Sequence, residues 1–211
     1  MGTVLWIGGA QWAGKSTTAR ILVERFGLTA YHYDFHDSRG HYDRALADAS
    51  RFPHRHAFAQ ADPDERWVRR SPVRMAAECL RDFAERFEMV LDDLRALSCG
   101  RPLIAEGWGL RPELVSAKVS APDEAVFLVP SEEFRQRQLR ELDRARRLTA
   151  EVSDPVLAQA NRVARDRLLA DDVVRSARLC GFRVITVDGR VDAGGVADEV
   201  QEHFRRHLPR L

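Results

Sequence analysis

The chain has 211 residues, 33 basic and 32 acidic side chains, and a formal net charge of +1 at pH 7. Charges this close to balance give no global attraction for nucleic acid or an anionic membrane, so neither is expected as a partner. A content of 45% hydrophobic and 31% charged residues is that of an ordinary globular domain, and excludes a disordered or membrane-embedded chain. The three cysteines, Cys79, Cys99 and Cys180, form no Cys-x-x-Cys pair and suggest neither a disulfide framework nor a zinc site. The first apolar run is too short for a signal peptide, so the expected location is the cytoplasm.

Residues 3–7 form a short apolar run ending in Gly8-Gly9, the pattern of a buried strand. Residues 16–26 carry Ala19, Leu22, Val23 and Phe26 at helical spacing and stop at Gly27. A second strand is expected over 28–33, ending at Asp34, and a polar, aromatic and histidine-rich stretch over 35–72 reads as short helices and loops. Residues 73–97 keep a long helical period closed by Gly100, and a third strand over 102–105 ends at Glu106-Gly107. A short helix over 111–117 and a fourth strand over 125–129 follow. An arginine-loaded helix is then expected from the N-cap Ser131 to about residue 148. Asp154-Pro155 starts another helix to about residue 179, a fifth strand covers 182–187, and the last helix covers 191–207. Strands alternating with helices predict a single domain over 1–211, with a five-stranded, mostly parallel sheet covered on both faces.

Gly9-Ala10-Gln11-Trp12-Ala13-Gly14-Lys15-Ser16 fits Gly-x4-Gly-Lys-[Ser/Thr], between an apolar strand and an amphipathic helix. Its glycines let successive N–H groups point inward as a nest for phosphate oxygens, and the helix after it adds the positive end of its dipole. Lys15 would reach the β- and γ-phosphates, Ser16 suits Mg²⁺, and Thr17 completes the nucleotide-binding run. Lysine is otherwise almost absent: only Lys15 and Lys118 stand among the 33 basic residues, so the one in the loop is there for its compact ammonium.

The strand, the loop and Gly14-Lys15-Ser16-Thr17-Thr18-Ala19 resemble the nucleoside-monophosphate-kinase-like group of P-loop kinases. That group includes shikimate, gluconate and chloramphenicol-type phosphotransferases. Trp12 departs from it, standing where the group has a small residue or Pro. The resemblance implies an α/β P-loop NTPase fold, a three-layer α/β/α sandwich with helical lid insertions, using ATP and Mg²⁺ to phosphorylate a small molecule. Glu106-Gly107-Trp108-Gly109-Leu110-Arg111 resembles the Asp-Gly-Phe-Pro-Arg stretch of adenylate-kinase-like proteins, with Glu for Asp and Gly for Pro. By that resemblance Glu106 would hold Mg²⁺ or contact substrate, and Arg111 would hold an acceptor group. The resemblance also implies a lid over 131–153, with Arg137, Arg140 and Arg144 as candidates to meet the transferring phosphate.

Ligands of an open α/β sheet collect beyond the carboxyl ends of its strands. Asp34 is expected there, as the base or orienting group for an acceptor hydroxyl, with Asp37 as its substitute. His36 and Tyr42 would build a polar acceptor pocket within 35–72. His32 and His36 are four apart, but a His in a strand lacks the helical geometry for zinc. A GTPase-type switch would need an Asn-Lys-x-Asp guanine motif, and the fifth strand instead ends in Val187-Asp188-Gly189-Arg190. An ATP-dependent kinase acting on a small-molecule hydroxyl is the expected function; an ATP-binding regulator or NTPase without a phosphorylated product is the alternative. Antibiotics, nucleosides, sugars and shikimate-like acids all stay open as acceptors.

Overall fold

A computed structural model of the chain describes residues 3–97, 100–146 and 151–209, with Arg144 and Arg146 described by backbone alone. The strands are β1 (Val4–Gly9), β2 (Thr29–His32), β3 (Leu103–Glu106), β4 (Ala125–Pro130) and β5 (Arg183–Val187). The helices are α1 (Lys15–Phe26), α2 (Tyr33–His36), α3 (Tyr42–Ala47), α4 (Pro53–Gln60), α5 (Pro72–Ala96), α6 (Pro112–Val115), α7 (Glu132–Glu141), α8 (Asp143–Arg146), α9 (Pro155–Leu179) and α10 (Ala193–Phe204). Single π-helical turns over Asp37–His41 and Glu65–Arg69 join α2 to α3 and precede α5.

The sheet runs β2-β3-β1-β4-β5, and each of its four pairings is parallel. The mostly parallel sheet read from the sequence is therefore wholly parallel among the described residues. All carboxyl ends share one edge, and β1, which carries the phosphate loop, is central. Side chains alternate across the strands. Val4 and Trp6 face a core shared with Phe83 and Phe87 of α5 and Val173 of α9. Leu5 and Ile7 face the opposite core, with Leu22 of α1 and Val200 and Phe204 of α10. Leu5, Ile7, Val126 and Leu128 of this second core are fully buried, each worth roughly 1.5–3 kcal/mol of transfer free energy.

Four helices, α5, α7, α9 and α10, start where a side chain satisfies one of their first amides. Ser71 Oγ accepts from Arg74 N, Ser131 Oγ from Phe134 N, Asp154 from Leu157 N and Asp192 from Gly195 N. Each such cap is worth about 0.5–2 kcal/mol. The arginine helix expected over 131–148 is two: the extended backbone of Leu142 ends α7, and Asp143 supplies the acidic first turn of α8.

β2 is also shorter than expected. The backbone becomes helical at Tyr33, so Asp34 lies in the first turn of α2 and not at a strand end. The Tyr33 ring enters the core edge-on to Phe83 and lies across Gly107 and Gly109. Gly107 has φ 155°, and a Cβ there would stand 2.2 Å from Tyr33 Cβ. Gly107→Ala should therefore lose at least about 2 kcal/mol of unfolding free energy in urea titration, from overpacking and backbone strain together. A loss near zero would show that Tyr33 does not need this glycine.

Candidate active site

β1 ends at Gly9, whose φ of 127° and contact with β4 exclude a side chain: a Cβ would lie 2.1 Å from Leu128 O. The Ala10 amide donates to that same carbonyl at 2.9 Å, which anchors the loop to the sheet as it leaves β1. Trp12 has φ 66°, the left-handed region that a bulky side chain enters only at a cost. Gly14 caps α1, and Lys15 opens it. The Lys15 ammonium is buried and donates to Ala10 O at 2.6 Å. Burial pulls its pKa below the ordinary lysine value, and the carboxylates of Glu106 and Asp34 pull it partly back.

Glu106 ends β3 and is 2% exposed. Its register sets it opposite Ile7 on one side and His32 on the other. Ser16 Oγ donates to Glu106 Oε2 at 3.0 Å, while His32 Nδ1 lies 2.9 Å from Oε1. A hydroxyl and a carboxylate side by side at a phosphate loop are the hard-oxygen donors that suit Mg²⁺. Among the described residues no cluster of three or more His, Cys, Asp or Glu is placed to hold a metal. Ser16 and Glu106 would thus hold the ion jointly with phosphate oxygens, which is the usual mode for Mg²⁺.

Asp34 stays beside the loop despite its helical backbone, lining with Gln11–Thr17 a recess of about 210 Å³. On the far side of the loop a space of about 300 Å³ lies between Thr17 and Thr18, Phe134 and Arg137 of α7, and Gly189 and Val191 after β5. There the Arg137 guanidinium stacks on Phe134, 4.9 Å from its centroid.

A cavity of about 370 Å³ shares Gln11 with the recess and extends under the segment that carries α4. Phe58 meets Trp67 edge-on at 5.9 Å, and Phe83 meets Trp108 edge-on at 4.8 Å. Its polar end is a crossed pair of ion pairs. Arg86 binds Asp82 through Nε and Nη2 at 2.8 and 2.6 Å and also contacts Asp37. Arg55 reaches Asp37 at 3.3 Å and Asp82 at 3.7 Å. Burial pushes Asp82 up to about 6 even beside Arg55. Cys79 lines the cavity with its thiol pushed up by burial, so it is a packing group. Arg162 and Arg165 of α9 close the loop side. Arg162 lies over the Trp12 ring at 5.7 Å, and Arg165 lies between Trp67 and Trp108 at 5.3 and 5.5 Å while binding Asp166 at 2.7 Å.

Several expected roles move. Arg111 is 1% exposed and lines none of these spaces; its Nη2 lies 2.5 Å from Asp172 of α9 and near Leu169 O, tying the N-terminus of α6 to α9, and its charge adds to the lowering of the Lys15 pKa. Arg140 lies on the outer face of α7, in a shallow groove against Val156 and Val163 of α9, away from the loop. The side chain of Arg144 lies outside the described residues. His36 stacks on Tyr31 at 4.4 Å and pairs with Asp93 at 3.3 Å, beside His41, so it fastens α2 to α5 and does not line the cavity. Asp37 does line the cavity, but as a partner of Arg55 and Arg86. Sequence reading missed Arg162, Arg165 and Asp166. The available signal for the two arginines was their place on the stripe Ala158–Arg162–Arg165–Leu169, where a helix packed on a core should be apolar.

No protein-family model matches the chain, and no curated protein matches its sequence. Among solved structures, the Thermus thermophilus protein TT1252 is similar over 99% of both chains, with 16% identity and a TM-score of 0.58. A thymidylate kinase from Candida albicans is similar over 97% of this chain and 92% of its own, at 15% identity and a TM-score of 0.49. A shikimate kinase from Acinetobacter baumannii is similar over 99% of this chain and 97% of its own, at 16% identity and a TM-score of 0.47. At these identities the likeness is one of fold, here a parallel five-stranded sheet between helical layers with the Gly9–Ser16 loop after its central strand.

Proposed function

We propose that this protein is an ATP-dependent phosphotransferase that moves the γ-phosphate onto a hydroxyl of a small molecule held in the aromatic cavity. The observation that carries this reading is the junction at Gln11 and Trp12. There the phosphate loop, the Ser16–Glu106 pair and the α9 arginines meet the mouth of a separate cavity. A second cavity that shares Gln11 with the phosphate-loop recess is the arrangement a phosphate acceptor would need.

In this reading the loop amides and Lys15 bind the β- and γ-phosphates, and Ser16 and Glu106 hold Mg²⁺, which would screen the phosphate charge. The nucleotide base would lie between Arg137 and the Gly189–Val191 turn. Asp34 orients the acceptor hydroxyl and takes its proton as the oxygen attacks the γ-phosphorus in line and the bond to the β-phosphate oxygen breaks, releasing ADP; such help is typically worth about 10²–10⁴ in rate. Arg162 and Arg165 meet the equatorial oxygens from the cavity side and exclude water. Among the described residues no helix is long and apolar enough to cross a membrane.

Three outcomes test the assignment. ATP with Mg²⁺ should raise the thermal midpoint, the shift expected of a ligand selective for the folded state, and Lys15→Ala should remove most of it in a folded protein. Unchanged nucleotide affinity in that variant would end the phosphate-loop reading. Asp34→Asn should keep ATP–Mg²⁺ binding while acceptor phosphorylation, followed as ADP release with and without acceptor, falls by at least about a hundredfold. Equal losses of binding and turnover would place Asp34 in the magnesium site. Arg162→Ala should lower kcat by roughly tenfold to a thousandfold with little change in nucleotide affinity, because its charge counts most in the transition state. Arg140→Ala should leave kcat within about twofold of the parent, and the reverse ranking would restore α7 as the source of the catalytic arginine.

A further inference from the structure

Resting on the phosphotransferase reading, we propose that the side-chain carboxamide of Gln11 is a catalytic group, donating hydrogen bonds to the phosphoryl as it passes from nucleotide to acceptor. The starting point is a shared wall. The recess at the phosphate loop is lined by residues 11–17 and Asp34, and the aromatic cavity chiefly by the segments from α4 to α5 and by α9. Among the described residues, Gln11 is the one that lines both. The transferred phosphoryl is likewise the one part of the reacting molecules that belongs to both spaces, joined to ADP before the reaction and to the acceptor after it. A side chain on the shared wall stands beside that crossing.

The backbone fixes where this side chain begins. Ala10, before it, donates to Leu128 O at 2.9 Å and accepts from Lys15 Nζ at 2.6 Å. Trp12, after it, is in the left-handed region, and its ring lies under Arg162 at 5.7 Å. The loop is thus clamped on either side of Gln11, once to the sheet and once to α9. The residue is half-buried, and among the described residues its carboxamide has no hydrogen-bond partner. Two N–H donors are therefore left for whatever enters the two spaces. The group is also neutral, so it does not repel the γ-phosphate as a carboxylate would. In the transfer the acceptor oxygen attacks the γ-phosphorus, the bond to the β-phosphate oxygen breaks with its electron pair leaving on ADP, and the hydroxyl proton passes to Asp34. Gln11 gives up no proton. Its N–H groups hold an equatorial oxygen while phosphorus moves from one oxygen to the other, and that bond is strongest where charge gathers, in the transition state.

The test needs no knowledge of the acceptor. ADP with Mg²⁺ and fluoroaluminate presents a charged, planar stand-in for the phosphoryl in flight, and ADP with Mg²⁺ alone lacks it. Both affinities are read by titration calorimetry on the full chain, with the thermal midpoint of the ligand-free protein as the control for folding. Gln11→Met keeps the length and shape of the side chain and removes its donors. It should leave the midpoint unchanged and ADP affinity within about twofold of the parent, and weaken the fluoroaluminate complex by roughly tenfold to a hundredfold, the fold-change of one hydrogen bond to a charged group. Gln11→Glu keeps the shape and adds a charge. It should weaken the non-hydrolysable analogue AMP-PNP by about tenfold more than ADP, because the γ-phosphate is the anion nearest to residue 11. The role of Gln11 is overturned if Gln11→Met lowers the two affinities equally or lowers neither, or if Gln11→Glu weakens AMP-PNP and ADP alike. A parent that binds ADP with Mg²⁺ but gains nothing from fluoroaluminate overturns it as well. A parent that binds no nucleotide defeats the phosphotransferase reading itself, whereas each failure of Gln11 alone leaves the parent binding ADP.

Discussion

Glu106 stands opposite Ile7 in the pairing of β3 with β1 and opposite His32 in the pairing of β3 with β2. That double register carries much of the site, because a strand shifted by one residue would turn the carboxylate to the other face. With the register as it is, one carboxylate oxygen meets Ser16 at the start of α1 and the other meets His32. The negative charge then lies close enough to Lys15 to offset part of what burial takes from the ammonium. Strand register, loop and helix start thus converge on one buried acid, and the phosphate site is a property of the sheet as much as of the glycine loop.

The cavity is organised by a different economy. Buried guanidiniums and carboxylates are expensive alone and tolerable in pairs, and this chain uses them as a frame. Arg55, Arg86, Asp37 and Asp82 lock α4, the π-helical turn after α2, and α5 to each other. Arg111 and Asp172 do the same for α6 and α9. Arginine suits the task, since its planar fork can serve two oxygens and lie flat on a ring at once. Arg165 does both, bound to Asp166 and set between Trp67 and Trp108.

The sheet, the phosphate loop and the main helices were legible because their signals are local. Apolar runs, a fixed glycine–lysine spacing, and capping residues such as Asp154 before Pro155 need no knowledge of distant contacts. Glu106 and Asp34 were legible as residues near strand ends, although Asp34 stands beside the loop in the first turn of α2. What could not be read was pairing across the chain. Arg111 looks like a ligand-binding arginine until Asp172, 61 residues later, claims it. His36 looks available until Asp93 does the same. The arginines of α7 drew attention by their number, whereas Arg162 and Arg165 face the site from a helix whose stripe they interrupt.

One contact described above changes how ligand entry should be pictured. The Lys15 ammonium already donates to Ala10 O across the loop, so the strongest cation in the nest is held by the nest itself. An ammonium has three donors and this bond uses one of them. Under the proposed function, phosphate oxygens would therefore meet a lysine already aimed across the loop, with little rotamer freedom left to lose on binding. The loop would be set for its ligand before the ligand arrives.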